Sequence, residues 1–189
     1  MFTDRRSILT GLALVAAAPA AMAQTMKTPS AQTSPVPMSD PTEVKTAAQF
    51  YAGVLGPAEF SLASSQIAIE KISSKAALQF AGFELGEAIT VNMVLKDLGT
   101  KAPAMTPEGA STVEKMRSAS KGAGFDRSYI GLQLSNHEYL RDLADGYLHN
   151  TAGSTDAADK QGRALASLMG AVFKEHVAIC KQIYSEMKA

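Results

Sequence analysis

Apolar residues recur at intervals of three and four along most of the chain after residue 40, which is the spacing of amphipathic α-helices. The clearest example is the last segment, with Leu165, Met169, Val172, His176, Ile179, Ile183 and Met187. Nowhere do apolar and polar residues alternate between hairpin turns, so β-strands are not expected. The pattern therefore predicts an all-α fold.

Caps and breaks in this pattern suggest where the first two helices begin and end. Asp40 is expected to cap the first helix, Glu43 to complete a capping box, and the apolar face to continue to about Ile72. Proline inside this segment, in Gly56-Pro57, predicts a kink or a break. A second stripe follows Ser73-Ser74, includes Glu84 and ends before Gly99.

The remaining pattern predicts two further helices. The third is expected to begin at Thr106-Pro107, to bend or break at residues 121–124 and to continue to about His149. The fourth should begin at a cap on Ser154 or Thr155 and run close to residue 189. Four helices that each have one apolar face predict a four-helix bundle over residues 40–189, with kinked or broken first and third helices.

Residues 1–23 have the organisation of an export signal. Arg5-Arg6 precedes an apolar run at residues 8–18, and Ala21-Met22-Ala23 matches a cleavage site. The paired arginines make the signal similar to a twin-arginine signal. Residues 24–39 are rich in Pro, Ser and Thr and are expected to form a flexible linker. The mature protein is therefore expected in the periplasm, without a transmembrane anchor after cleavage.

The composition excludes some functions and indicates no reaction. Lysine and arginine together number 18, as do aspartate and glutamate, and no basic stripe is present, so nucleic acid is not an expected partner. The sequence contains no Gly-x-Ser-x-Gly motif and no phosphate-binding loop. The only cysteine, Cys180, lies in an apolar stripe and is expected to be buried rather than activated. Catalytic residues are therefore not predicted, and an enzyme is not indicated.

Several short motifs carry a resemblance to a known family. They are Phe50 with Glu59, Phe80-Ala81, Asn92, Phe125-Asp126 with Tyr129, Asn136-His137, and His176. Together with the export signal, they make residues 45–186 similar to the exported bacterial ferritin-like family known as domain of unknown function 4142. That family has Asp-His pairs in its second and third helices, where this chain has Glu87-Ala88 and Asn136-His137. The resemblance implies an exported four-helix fold, but no reaction.

Four polar residues on or near the predicted inward faces are candidate metal ligands: Glu59, Glu84, His137 and His176. Ferritin-type di-iron centres use Glu-x-x-His motifs, and this sequence has none; Glu84-x-x-Glu87 comes nearest. A mononuclear site for iron or another divalent ion is the remaining metal hypothesis, and it requires the four side chains to converge. The alternative is a hydrogen-bonded polar cluster that holds no cofactor.

These observations lead to three hypotheses about function. The first is an exported periplasmic bundle with a binding or structural role in the cell envelope, including under stress. The second is a metal-binding protein that uses the Glu and His residues inside the bundle. The third is a module that binds a protein partner in the envelope, which predicts an exposed apolar patch of more than a few hundred Å².

Overall fold

Five α-helices make up most of the chain that the structure describes, which is residues 39–187 of a computed structural model. After a short 3-10 helix, Pro41–Glu43, they are α1 (Ala47–Lys71), α2 (Lys75–Asp97), α3 (Pro107–Ser118), α4 (Ala123–Asn150) and α5 (Ala157–Glu186). These residues contain no strand, so the predicted all-α class is confirmed. None of the described helices is long and apolar enough to cross a membrane. The predicted export signal and linker residues 24–38 lie outside the described residues.

The helix starts differ from the predicted caps at both ends of the chain. Asp40 caps the 3-10 helix, whereas α1 begins after Thr46, which forms a capping box with Gln49. The predicted box with Glu43 is wrong because the backbone is extended at Val44, whose side chain is buried. Similarly, α5 is capped by Asp156 rather than by Ser154 or Thr155. The Asp156 carboxylate accepts hydrogen bonds from two backbone amides and complements the helix dipole.

The two predicted irregularities have different outcomes. Helix α1 runs through Gly56-Pro57 without a break, because proline removes one hydrogen bond from a helix that is otherwise held by buried side chains such as Phe50 and Phe60. The third predicted helix is broken as expected, since α3 ends at Ser118 and α4 begins at Ala123. Between them Gly122 has a φ of 133°, a conformation that other residues rarely adopt.

The charged side chains of Lys71 and Asp126 stabilise the turns at one end of the helices, through hydrogen bonds with backbone groups. The Lys71 ammonium donates to the carbonyl oxygens of Met116, Arg117 and Ala119, which are otherwise unpaired at the end of α3. The carboxylate of Asp126, in the first turn of α4, accepts from the backbone amides of Ser73 and Ser74 at distances of 2.8 to 3.3 Å. Asp126 therefore fixes the turn between α1 and α2 from its position in the first turn of α4.

The long helices pack on one another along α1–α2, α4–α5, α1–α4 and α1–α5, and α3 packs on α1. Two apolar clusters fill the interior. The first includes Phe50, Val54, Leu143, Tyr147 and Phe173, and the second includes Phe80, Tyr129, Ile130, Cys180 and Ile183. On each long helix, buried polar residues occupy sequence positions between the residues of the first cluster and those of the second. We call eight of these residues the polar layer: Ser61, Ser64, Ser65, Glu84, Gln133, Asn136, His137 and His176.

Candidate metal centre

Three of the four predicted ligands come together in the polar layer. Glu84 on α2, His137 on α4 and His176 on α5 are each at most 5% exposed. Oxygen Oε2 of Glu84 lies 3.2 Å from Nε2 of His137 and 3.1 Å from Nδ1 of His176, and these two nitrogens are 3.1 Å apart. The three atoms form a nearly equilateral triangle, which we call the triad.

The fourth predicted ligand, Glu59, does not join the triad. Its carboxylate forms an ion pair with Lys96 of α2, and its side chain is 30% exposed. Glu59 lies beside the apolar face of α1, and the long side chain turns toward the solvated cation instead of the interior. The expectation that four side chains converge therefore holds for three of them. Glu59 instead takes part in this ion pair between α1 and α2.

The outward nitrogen of His137 is held by its own helix. Nδ1 lies 2.8 Å from the backbone carbonyl oxygen of Gln133, one turn earlier. Because a carbonyl oxygen only accepts hydrogen bonds, Nδ1 carries the hydrogen, and in the neutral ring Nε2 has a free lone pair. This arrangement fixes the orientation of the ring and directs the lone pair into the triad. Metal-binding histidines in proteins are commonly held in this way.

The ring of His176 is also oriented by a hydrogen bond from its outer nitrogen, in this case to the carboxylate of Glu87. Its Nε2 lies 3.1 Å from Oε2 of Glu87, whose side chain is 45% exposed. A carboxylate accepts this hydrogen bond, so Nε2 carries the hydrogen and Nδ1 faces the triad. Glu87 was not among the predicted ligands, although it follows Glu84 by three residues and therefore lies on the same side of α2.

The triad thus brings three acceptors together, and such a group needs a positive charge at its centre. Burial alone would raise the pKa of Glu84, but the two neighbouring imidazoles outweigh it and hold this pKa well below its usual range. Burial alone would lower the pKa of His176, but hydrogen bonds to Glu84 and Glu87 raise it to about 9. A proton on Nδ1 of His176 therefore supplies the charge when no other cation does.

The geometry of the triad also fits a metal ion. Atoms that are 3.1 to 3.2 Å apart can share one ion about 2.1 Å from each, with ligand–metal–ligand angles of roughly 95–100°. This angle lies between the octahedral and tetrahedral values. Two imidazoles and one carboxylate on one face of an ion form a ligand set typical of Fe²⁺ and related transition metals, rather than of Ca²⁺ or Mg²⁺. Among the described residues, this is the group that has metal-ligand spacing.

Aromatic rings surround the two histidines. The ring of Phe80 makes edge contacts with both imidazoles, with centroids 6.3 Å from His137 and 5.1 Å from His176, and Phe173 contacts His137 from another side. Cys180, one turn after His176, is fully buried but does not belong to the group with ligand spacing. Burial and the nearby Glu84 raise the pKa of its thiol well above the usual range, which disfavours the thiolate.

A hydrogen-bonded network between α1 and α4 supports the triad. Ser61 donates to the side-chain oxygen of Gln133, and the Gln133 amide donates to Ser64. The Asn136 amide donates to Ser61, while the Ser65 and Tyr129 hydroxyls are 2.8 Å apart. The serines and Gln133 belong to no motif that the sequence pattern distinguishes.

A cavity of about 290 Å³ lies beside the triad. Its walls are largely apolar and include Val54, Ala58, Val91, Leu140, Val172 and Phe173. Glu84, His137, Glu87 and Ser61 supply polar groups. Leu168, which also lines the cavity, is 67% exposed, so the cavity opens to the surface.

Comparison of the chain with protein-family models, with curated proteins and with solved structures gives no match.

Proposed function

We propose that this protein binds one divalent transition-metal ion at Glu84, His137 and His176. The observation that carries the proposal is the triad itself, with three ligand atoms from three helices at mutual distances of 3.1 to 3.2 Å. The partners of the two outer nitrogens, Gln133 and Glu87, support it because they direct both lone pairs inward. Iron is one candidate ion, and zinc and cobalt suit the same ligands.

Metal analysis of the full chain, produced without an affinity tag that binds metal, tests this proposal. Cobalt titration should give one ion per chain and visible absorption bands from bound Co²⁺. His137→Ala and His176→Ala should each weaken binding by at least about 100-fold, since each removes one of three ligands. His149→Ala is the matched control, because His149 is exposed at the end of α4 and should bind cobalt like the wild type. Equal binding by all three folded variants would overturn the proposal.

We also propose that α1, α2, α4 and α5 form a four-helix bundle of the ferritin-like type, in an exported protein of the resembled family. The connection between α2 and α4, residues 98–122, supports this topology because it is long and contains the short helix α3, whereas the turn between α1 and α2 spans three residues. Ferritin-like bundles have one such long crossover. An experimental structure tests the topology.

Export to the periplasm is proposed from the sequence of residues 1–23. Mass spectrometry of protein from the periplasm of an expressing bacterium should find an N-terminus at Gln24. An Arg5→Lys, Arg6→Lys double variant should accumulate as uncleaved precursor if the paired arginines direct export. Intact precursor in the cytoplasm for both proteins would contradict this proposal.

A binding or structural role in the envelope is the second candidate function. Exposed apolar residues on α2 favour it, since Phe83, Ile89 and Met93 are each more than half exposed. Chemical cross-linking in the periplasm should yield a defined adduct with the wild type and lose it with a Phe83→Ser, Met93→Ser variant that still binds cobalt. An unchanged cross-linking pattern would count against this role.

A further inference from the structure

One side of the triad is covered by protein, and another borders the cavity. Glu84 and His137 both line the cavity. Phe80, which packs against both imidazole rings, does not. Three protein ligands leave at least one coordination position of a transition-metal ion open. An open position on the side of Glu84 and His137 would therefore be accessible from the cavity.

We infer that the cavity binds a small, mainly apolar organic molecule that places a single neutral donor atom on the ion held by Glu84, His137 and His176. This inference rests on the proposed metal site and specifies the chemical class of its ligand. The cavity would then bind the ligand's apolar body, and the ion would bind its donor atom.

The lining of the cavity favours an apolar body. Its walls are formed mainly by aliphatic and aromatic side chains, such as Val54, Leu140, Val172 and Phe173. The volume of about 290 Å³ is near the lower end of the range of roughly 300–1,000 Å³ found for ligand pockets, which fits a small molecule. Burial of apolar surface against these walls contributes about 25 cal/mol for each Å² removed from water.

The charges around the ion favour a neutral donor. A divalent ion would be balanced by the carboxylates of Glu84 and Glu87, both of which line the cavity. An anionic donor would add an unbalanced negative charge next to apolar walls, where a lone charge is costly. A neutral donor, such as the nitrogen of an imidazole or pyridine, avoids this cost.

The cavity mouth is compatible with such a ligand. Leu168 on α5 and the exposed residues Gly86 and Thr90 on α2 line the cavity, so the opening lies between these two helices. Helices α2 and α5 make few contacts with each other compared with the other neighbouring pairs. A small apolar molecule can therefore reach the triad through this opening.

Three probes added to the cobalt-loaded full chain test the inference through the visible spectrum of Co²⁺. Imidazole has the donor without an apolar body, 4-phenylimidazole has both, and phenylacetate has a similar body with an anionic donor. We expect 4-phenylimidazole to bind at least about tenfold more tightly than imidazole. Phenylacetate should bind more weakly than 4-phenylimidazole.

Cavity variants separate binding inside the cavity from binding elsewhere. Val172→Phe should fill the cavity and remove the preference for 4-phenylimidazole, while cobalt binding is retained. Ala171→Phe is the matched control, because Ala171 precedes it on α5, is exposed and does not line the cavity. If Val172→Phe does not fold, Val91→Phe replaces it in this test, because Val91 lines the cavity from α2.

The outcomes distinguish this inference from the metal site on which it rests. Cobalt binding with equal affinities for imidazole and 4-phenylimidazole, or an equal effect of the cavity and control variants, would overturn the inference alone. Failure of the wild type to bind cobalt would overturn both. A preference for 4-phenylimidazole that is lost only in the cavity variants would support both.

Discussion

Nε2 of His137 lies 3.1 Å from Nδ1 of His176, although the two residues are 39 positions apart in the chain. Two protonated imidazoles would repel each other at this distance, and two unprotonated nitrogens would face each other with their lone pairs. The Glu84 oxygen beside them adds a negative charge. The site therefore requires one cation between these groups, either a proton or a metal ion.

Metal binding should depend on pH because the ion replaces this proton. The pKa of His176 is raised to about 9 in the metal-free protein, so Nδ1 must lose its proton when the metal binds at neutral pH. We expect apparent Co²⁺ affinity to rise by up to about tenfold for each pH unit between about pH 7 and pH 8.5. Calorimetric titrations in buffers with different ionisation enthalpies should show release of about one proton per ion. No release would contradict this expectation.

The stability of the metal-free protein should fall with rising pH, over the range in which its affinity for metal rises. Because the pKa of His176 is raised, protonated His176 stabilises the folded protein. This contribution to the free energy of unfolding is complete below the ordinary pKa of 6.5 and is lost as the pH rises through about 9. Glu84 contributes above its ordinary pKa of 4.5 and loses this contribution as the pH falls.

Urea unfolding in the presence of a chelator measures this trend. Between about pH 6.5 and pH 9, we expect the free energy of unfolding to fall by on the order of 2 kcal/mol more in the wild type than in His176→Gln. The variant serves as the reference because it retains the other titrating groups. Parallel curves for the two proteins would show that the Glu84–His176 pair does not contribute in this way.

Glu84→Gln should be costly in the metal-free protein. The substitution removes the anion between two buried histidines, so a proton on either ring loses its partner, and we expect a loss of about 3 kcal/mol in the free energy of unfolding. Glu59→Gln is the matched control on a partly exposed ion pair and should cost less than about 1 kcal/mol. Chemical denaturation at pH 6 measures both. Similar losses would mean that the triad is no more important to stability than the surface pair.

Gly162→Ala should destabilise the protein although glycine is a poor helix former. A Cβ atom at position 162 would overlap the Tyr147 hydroxyl and would lie 2.9 Å from Cβ of Ala47. We expect a loss of about 1–3 kcal/mol from this overpacking. Gly82→Ala meets no atom within 4 Å and should stabilise its helix by about 0.5–1 kcal/mol. Thermal unfolding should therefore shift in opposite directions in the two variants.

The sequence was sufficient to place Glu84 and His176 inside the fold. Each interrupts an otherwise apolar stripe with helical spacing, and the structure buries both. Glu59 lies only one turn from Leu55 and Leu62, a spacing that indicates proximity to a buried face but not burial. Whether such a glutamate turns inward depends on the cation that the neighbouring helix presents, which here is Lys96.

The supporting groups were harder to predict. Ser61, Ser64 and Ser65 are buried, whereas Ile69 on the same helix is 41% exposed. Hydropathy alone predicts the reverse, because it does not show which serines find partners such as Gln133 across the interface. The break before α4 was predictable from its glycines. The course of α1 through Pro57 depends on packing around the helix, which local propensity does not describe.

The polar layer has a consequence for how the four long helices align. If one of them slid along its neighbours by one turn, about 5.4 Å, Glu84 or Gln133 would lose its hydrogen-bonding partners and would face one of the apolar clusters. Leucine at these positions would increase apolar burial but would tolerate several such offsets. We therefore expect the layer to select one longitudinal register of the helices, so that the proposed ligands help to specify the fold that brings them together.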